Sequence, residues 1–157
     1  MKADDPRLEK SRQEAIARVA RVNEMMVTVL KSHIVVEQFM DEFLAVSGRK
    51  PKGTFADKAQ SCQDLKPPEI EPALWEVLKK ANLLRNKIAH TLDHAEIQVK
   101  MDGLRAAYLA ALSDQQRPHS ENLDDTRIAA GAFELCGAYL VGATEAKKRK
   151  AEKSTAQ

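Results

Sequence analysis

The residues in this chain whose types and spacing can do chemistry lie in Leu84-Arg85-Asn86-Lys87-Ile88-Ala89-His90, within a run predicted to be helical from about Pro72 to Leu92. At about 100° per residue, Leu74, Val77, Leu78, Ala81, Leu84, Ile88 and Leu92 share one face, which should meet the core. Arg85 falls inside that apolar arc. Asn82, Asn86 and His90 follow along its edge at i, i+4 and i+8, with Trp75 on the same side. A guanidinium cannot shed its proton, so a core-facing arginine needs a fixed acceptor or a bound anion. Histidine titrates near neutrality and can take or give a proton. The combination suits metal-free cleavage of a phosphodiester that brings its own nucleophile, as RNA does with its 2′-hydroxyl. His90 would move the proton, and Arg85 would fork onto two oxygens of the phosphorane. Asn82 and Asn86 would orient the imidazole or bind a phosphate oxygen. Arg85 and His90 stand about 140° apart around the helix, so one copy does not aim both groups at one atom. A two-fold pairing of such helices would pool two of each in one groove.

These groups must be held by other helices. Pro6, after Asp4 and Asp5, reads as a helix start, and neither Gly nor Pro recurs until Gly48. The stretch from Arg7 to about Val46 is one very long helix or two with a bend. Its first third is mostly charged and should project. An apolar stripe then runs through Val19, Val22, Met26, Val29, Leu30, Met40, Phe43 and Leu44. His33 and Glu37 interrupt that stripe. Either His33 bonds its own neighbour Glu37, or Glu37 crosses to accept the Arg85 guanidinium. On the second reading Glu37 joins Asn82 and Asn86 as a supporting, RNA-binding residue.

Arg85-Asn86-x-x-x-His90 resembles the Arg-polar-x(3 to 5)-His signature of the HEPN domains. Lys79-Lys80-Ala81-Asn82-Leu83-Leu84 is similar to the helix that leads into it, and Ile34-Val35-Val36-Glu37-Gln38-Phe39-Met40 to the helix before. The resemblance implies a compact helical bundle that dimerises. It also implies metal-independent endoribonuclease activity in a cleft at the dimer interface, leaving a 2′,3′-cyclic phosphate, often in toxins or phage defence. Arg85 and His90 match the catalytic pair and Asn86 the polar residue after the arginine. RNA, a second copy of the chain, and an antitoxin or regulatory protein are the partners it implies. Leu92 stands where one toxin branch has a tyrosine, so neutralisation by modification there is not expected. The mannitol operon repressor family is also similar in outline. On that side the chain would be a non-catalytic regulatory or interaction module.

The rest of the sequence sets bounds. With 157 residues, 43% hydrophobic and 31% charged, the chain is long enough for one domain with a proper core. A net charge of +2 does not by itself argue for nucleic acid. No glycine-rich phosphate loop and no nucleophile elbow is present. Cys62 and Cys136 form no CxxC pair and read as reduced thiols of a cytoplasmic protein. No run is apolar enough to span a membrane, and no membrane partner is expected. His90 and His94 have a metal-binding spacing without a third ligand nearby, so neither metal nor other cofactor is assigned. His94 is placed at the end of the central helix, where the dipole favours a cation.

Further along, Ser47 to Thr54 is a loop with three positive charges, and Thr54 caps a short helix through about Leu65. A helix from about Ala95 to Leu112 and a polar loop from Ser113 to Asn122 precede the last helix, which starts at Asp124 or Asp125 and runs to about Lys148. That helix is rich in small residues, which allow close approach of a neighbour. The expected fold is all-α: a long N-terminal helix or helix pair plus about three further helices, forming a bundle over residues 1–146. A basic, disordered tail over 147–157 follows.

Overall fold

A computed structural model describes residues 6–91 and 93–155. Asp4, Asp5 and Leu92, for which the sequence predicts capping and core roles, lie outside the described residues. The described residues form six helices and no strand: α1 (Pro6–Val46), α2 (Phe55–Asp64), α3 (Pro72–His90), α4 (His94–Ala111), α5 (Arg117–Ser120) and α6 (Asp125–Thr155). The fold is all-α, as expected, and no helix among the described residues is long and apolar enough to cross a membrane.

With no Gly or Pro to interrupt it, α1 is one continuous helix of 41 residues, about 60 Å long. It stops where Gly48 takes the left-handed conformation (φ 72°). The Gly48 N–H then donates to Ala45 O (3.1 Å) and the Arg49 N–H to Leu44 O (2.9 Å), satisfying carbonyls that the helix end leaves open. Thr54 and Asp57 close a capping box at the start of α2. Asp93 caps α4, accepting from the Ala95 and Glu96 N–H groups at 2.9 and 3.2 Å. His94 is therefore the first residue of α4, at the positive end of a helix dipole, and not at the negative end expected for it. At the other end of α4, the Arg117 guanidinium donates to the Leu109 and Leu112 carbonyls.

The most extensive packing is α1 against α6, followed by α3 against α4. The buried register of α1 is Met25, Val29, His33, Val36, Met40, Phe43 and Leu44, steps of three or four residues up to the adjacent pair at the end. Val19 and Leu30, predicted to lie in the stripe, are exposed. Both sit about 80–100° from the centre of the buried face. Residues 6–21 are all exposed, in line with the charged first third of the helix.

The small residues of α6 serve contact inside the fold. Ala129, Ala132, Gly137 and Ala143 are buried. A side chain at Gly137 would meet the Phe39 ring at 3.2 Å, and one at Gly131 the Tyr108 hydroxyl at 2.6 Å. Beyond the bundle α6 does not stop: residues 147–155 remain helical where composition predicts a disordered tail. Alanine, lysine, arginine and glutamate are good helix formers, and an anchored helix propagates through them without a new nucleation cost.

Two glycines of α6 give opposite expectations. Gly137→Val forces the Phe39 ring aside and should destabilise the fold by about 1–3 kcal/mol. Gly142 has open space where a Cβ would go, so Gly142→Ala should stabilise by about 0.5–1 kcal/mol. Chemical denaturation of both variants checks the packing of α6.

Candidate functional site

The apolar spacing of α3 buries Leu74, Val77, Leu78, Ala81, Leu84 and Ile88, the face predicted from the sequence. The same helix turns its polar residues outward in order. Arg85 and Asn82 flank the buried face and are half-buried, Asn86 is also half-buried, and His90 at the last position is exposed. His90 thus stands away from Arg85, as their spacing requires.

The centre of the site is His33. Its ring is buried, stacked on Phe55 of α2 with centroids 4.0 Å apart, and meets the edge of Phe133 of α6 at 6.4 Å. Its Nε2 lies 3.2 Å from the Asn82 Oδ1. The tautomer that fits is the one whose Nε2–H donates to the amide oxygen. His33 therefore bonds α3 across the interface, and not its own neighbour Glu37. Burial holds the imidazole below its ordinary value of 6.5; the Arg85 cation adds to the fall, while the Asn82 bond and the Glu37 carboxylate oppose it. The imidazole stays neutral at physiological pH.

Glu37 is not the acceptor for Arg85. Lys58 of α2 reaches between Glu37 and Asp41, one turn apart on α1, and its Nζ donates to Glu37 Oε1 at 2.9 Å and to Asp41 Oδ2 at 3.0 Å. The lysine side chain is only 12% exposed. Burial works against its charge, but the two carboxylates outweigh burial and raise its pKa. The signal in the sequence was Lys58 three residues after Phe55: one helical step that puts both on the inner face of a short helix.

With Glu37 taken, Arg85 keeps one hydrogen bond, from Nη1 to the Asn86 Oδ1 at 3.2 Å. Among the described residues no carboxylate lies within ion-pair distance of Arg85. A half-buried guanidinium with four of its five N–H groups unspent is an anion site in electrostatic terms. The structure thus joins Asn82 to His33 and Arg85 to Asn86; Glu37 hydrogen-bonds Lys58 and neither pair, and His90 is joined to neither. Cys62 and Cys136 are buried, and burial pushes each thiol up to about 12, far from a thiolate nucleophile.

Two expectations follow from these contacts. Unfolded His33 takes up a proton near its ordinary value, whereas the folded protein resists it. His33 therefore contributes stability that is present above about pH 6.5 and lost as pH falls through the lowered folded value. The other three histidines are exposed. Melting temperatures of wild type should fall between about pH 7.5 and 5.5, and His33→Gln, which keeps a partner for Asn82 but cannot be protonated, should show a flatter profile. Arg85→Met should melt within about 0.5 kcal/mol of wild type or above it, because the cation it removes has no carboxylate partner. A loss of several degrees would make Arg85 a packing residue.

No family model, no curated protein and no solved structure matches this chain, so the functional reading rests on the chemistry of its own residues.

Proposed function

We propose that this protein is a metal-independent endoribonuclease whose site is completed by a second copy of the chain. The observation that carries the reading is the half-buried Arg85 guanidinium, held by Asn86 and lacking a carboxylate among the described residues, on the same helix as an exposed histidine. A phosphate group is an anion that such a fork fits in two-point geometry. His90 is exposed, so substrate can reach it.

In the proposed reaction a neutral His90 takes the proton of the ribose 2′-hydroxyl, and that oxygen attacks the adjacent phosphorus. Arg85 stabilises the charge that builds on the phosphorane oxygens. The P–O5′ bond breaks, a 2′,3′-cyclic phosphate remains on one product, and the 5′-oxygen of the other receives a proton from the imidazolium of the paired copy. Two-fold pairing supplies the second histidine and offsets the angular separation of Arg85 and His90 on one helix. The resemblance to HEPN domains supports this arrangement and the toxin- or defence-like role, with RNA and a neutralising or regulatory protein as partners. On this reading the protein works in the cytoplasm, where Cys62 and Cys136 remain thiols.

The test is cleavage of an end-labelled structured RNA with EDTA present, by wild type, Arg85→Ala and His90→Ala. Cyclic-phosphate ends are expected from wild type, with at least about a 100-fold loss in each variant. Equal cleavage by all three would remove the site. Equal silence, with helicity intact by circular dichroism, would replace the enzyme with a non-catalytic regulatory or interaction module like the mannitol operon repressor family.

A further inference from the structure

A second feature lies on the same helix. Between α2 and α3 opens a pocket of about 380 Å³, walled by Phe55, Trp75 and Asn82 and rimmed by Gln60, Gln63 and Lys79. Its size falls at the small end of the range of about 300–1,000 Å³ for small-ligand sites. Trp75, the only tryptophan in the chain, is half-buried and packs against the core from one side. Its remaining surface contributes an aromatic wall.

The polar groups around that wall are amides with hydrogen-bonding capacity left over. Asn82 uses its Oδ1 on His33, which leaves both amide protons for a ligand. Gln60 commits its Nε2 to Asp64 at 2.8 Å, which leaves its carbonyl oxygen as an acceptor. Gln63 makes no hydrogen bond through its side chain among the described residues. Glu76 also borders the pocket but is paired with Lys80 at 3.4 Å, so the ammonium of Lys79 is not neutralised by it. A planar face, donors and acceptors side by side, and one cation at the rim match a nucleobase with its attached phosphate.

The pocket and the proposed cleavage site share one helix. Trp75, Lys79, Asn82, Asn86 and His90 follow at steps of four, three, four and four residues, one ridge along the outer side of α3. Asn82 belongs to the pocket and lies one turn, about 6 Å, from Asn86. We infer that the pocket between α2 and α3 holds one unpaired RNA base, stacked on Trp75 and contacted by the Asn82 and Gln63 amides, with its phosphate toward Lys79. This deepens the proposed nuclease reading and rests on it for the direction of the strand. The binding itself needs no cleavage.

The test uses RNA that cannot be cut. A single-stranded hexamer with 2′-O-methyl groups throughout should quench Trp75 fluorescence in the wild-type protein, and an abasic hexamer with the same phosphates should not. By anisotropy of the labelled hexamer, Trp75→Leu, which keeps an apolar side chain against the core, should bind about 10-fold more weakly. Gln63→Ala, at an exposed position that cannot unfold the protein, should weaken binding about threefold and alter the preference among A-, C-, G- and U-hexamers. Equal binding of the abasic strand, or unchanged affinity in both variants, would overturn the pocket even if RNA is cleaved. Base-dependent quenching by this hexamer, together with no cleavage of the end-labelled structured RNA, would support the pocket and remove the nuclease instead.

Discussion

A neutral imidazole kept away from water must find a hydrogen-bond partner and apolar company at the same time, and in this fold His33 obtains them from three other helices. From α1 it reaches Asn82 on α3, lies flat on Phe55 of α2 and touches Phe133 of α6. A hydrogen bond and two ring contacts in a buried setting specify the relative placement of these helices more sharply than aliphatic packing does, because leaving any polar partner unpaired is costly. The orientation of Asn82, and with it the polar ridge of α3, is set from this point. So is the position of the Arg85 cation, close enough to help keep the imidazole neutral.

Charge is distributed around that junction by competition. Lys58 takes both carboxylates of α1, Glu37 and Asp41, and Arg85 is left without one among the described residues. A compact ammonium on a flexible stem fits between Glu37 and Asp41, whereas a planar guanidinium is bound best by one carboxylate edge-on. The pairing that looked natural along the sequence, arginine with glutamate, loses to one that satisfies two acids with a single base. What remains is a cation facing a polar, accessible surface, the condition for holding an anion.

The longer helices were legible in the sequence because most of their ends are marked by local chemistry, whereas the four-residue α5 lies inside what reads as a polar loop from Ser113 to Asn122. Gly48, the Thr54–Asp57 capping box and Pro72 each act within a few residues, and the buried face of α3 follows from periodicity alone. The all-α fold needed nothing more. What could not be read was which polar groups meet across helices. His33 finding Asn82, and Lys58 reaching Glu37, depend on the rotation of α2 against α1 and α3, and a short helix with two buried residues has little periodicity to reveal it. The register of α1 shifted for a related reason: Val19 and Leu30 fit the stripe, but the neighbouring helices do not cover them. The small residues of α6 were visible, while their partners, Phe39 and Tyr108, came only with the packing.

The exposed first part of α1 has a consequence of its own. Residues 6–17 are supported by their backbone bonds and by local pairs such as Lys10 with Glu14 and Gln13 with Glu9, each a contribution of a few tenths of a kcal/mol. The bundle supplies the nucleus at the other end, so this segment obeys helix–coil statistics and not the cooperativity of the core. Its helical length is then a graded quantity, set by ionic strength and temperature turn by turn. Amide protons toward Pro6 would exchange through fraying long before those at His33 open, and ellipticity would decline on heating before any core contact is lost.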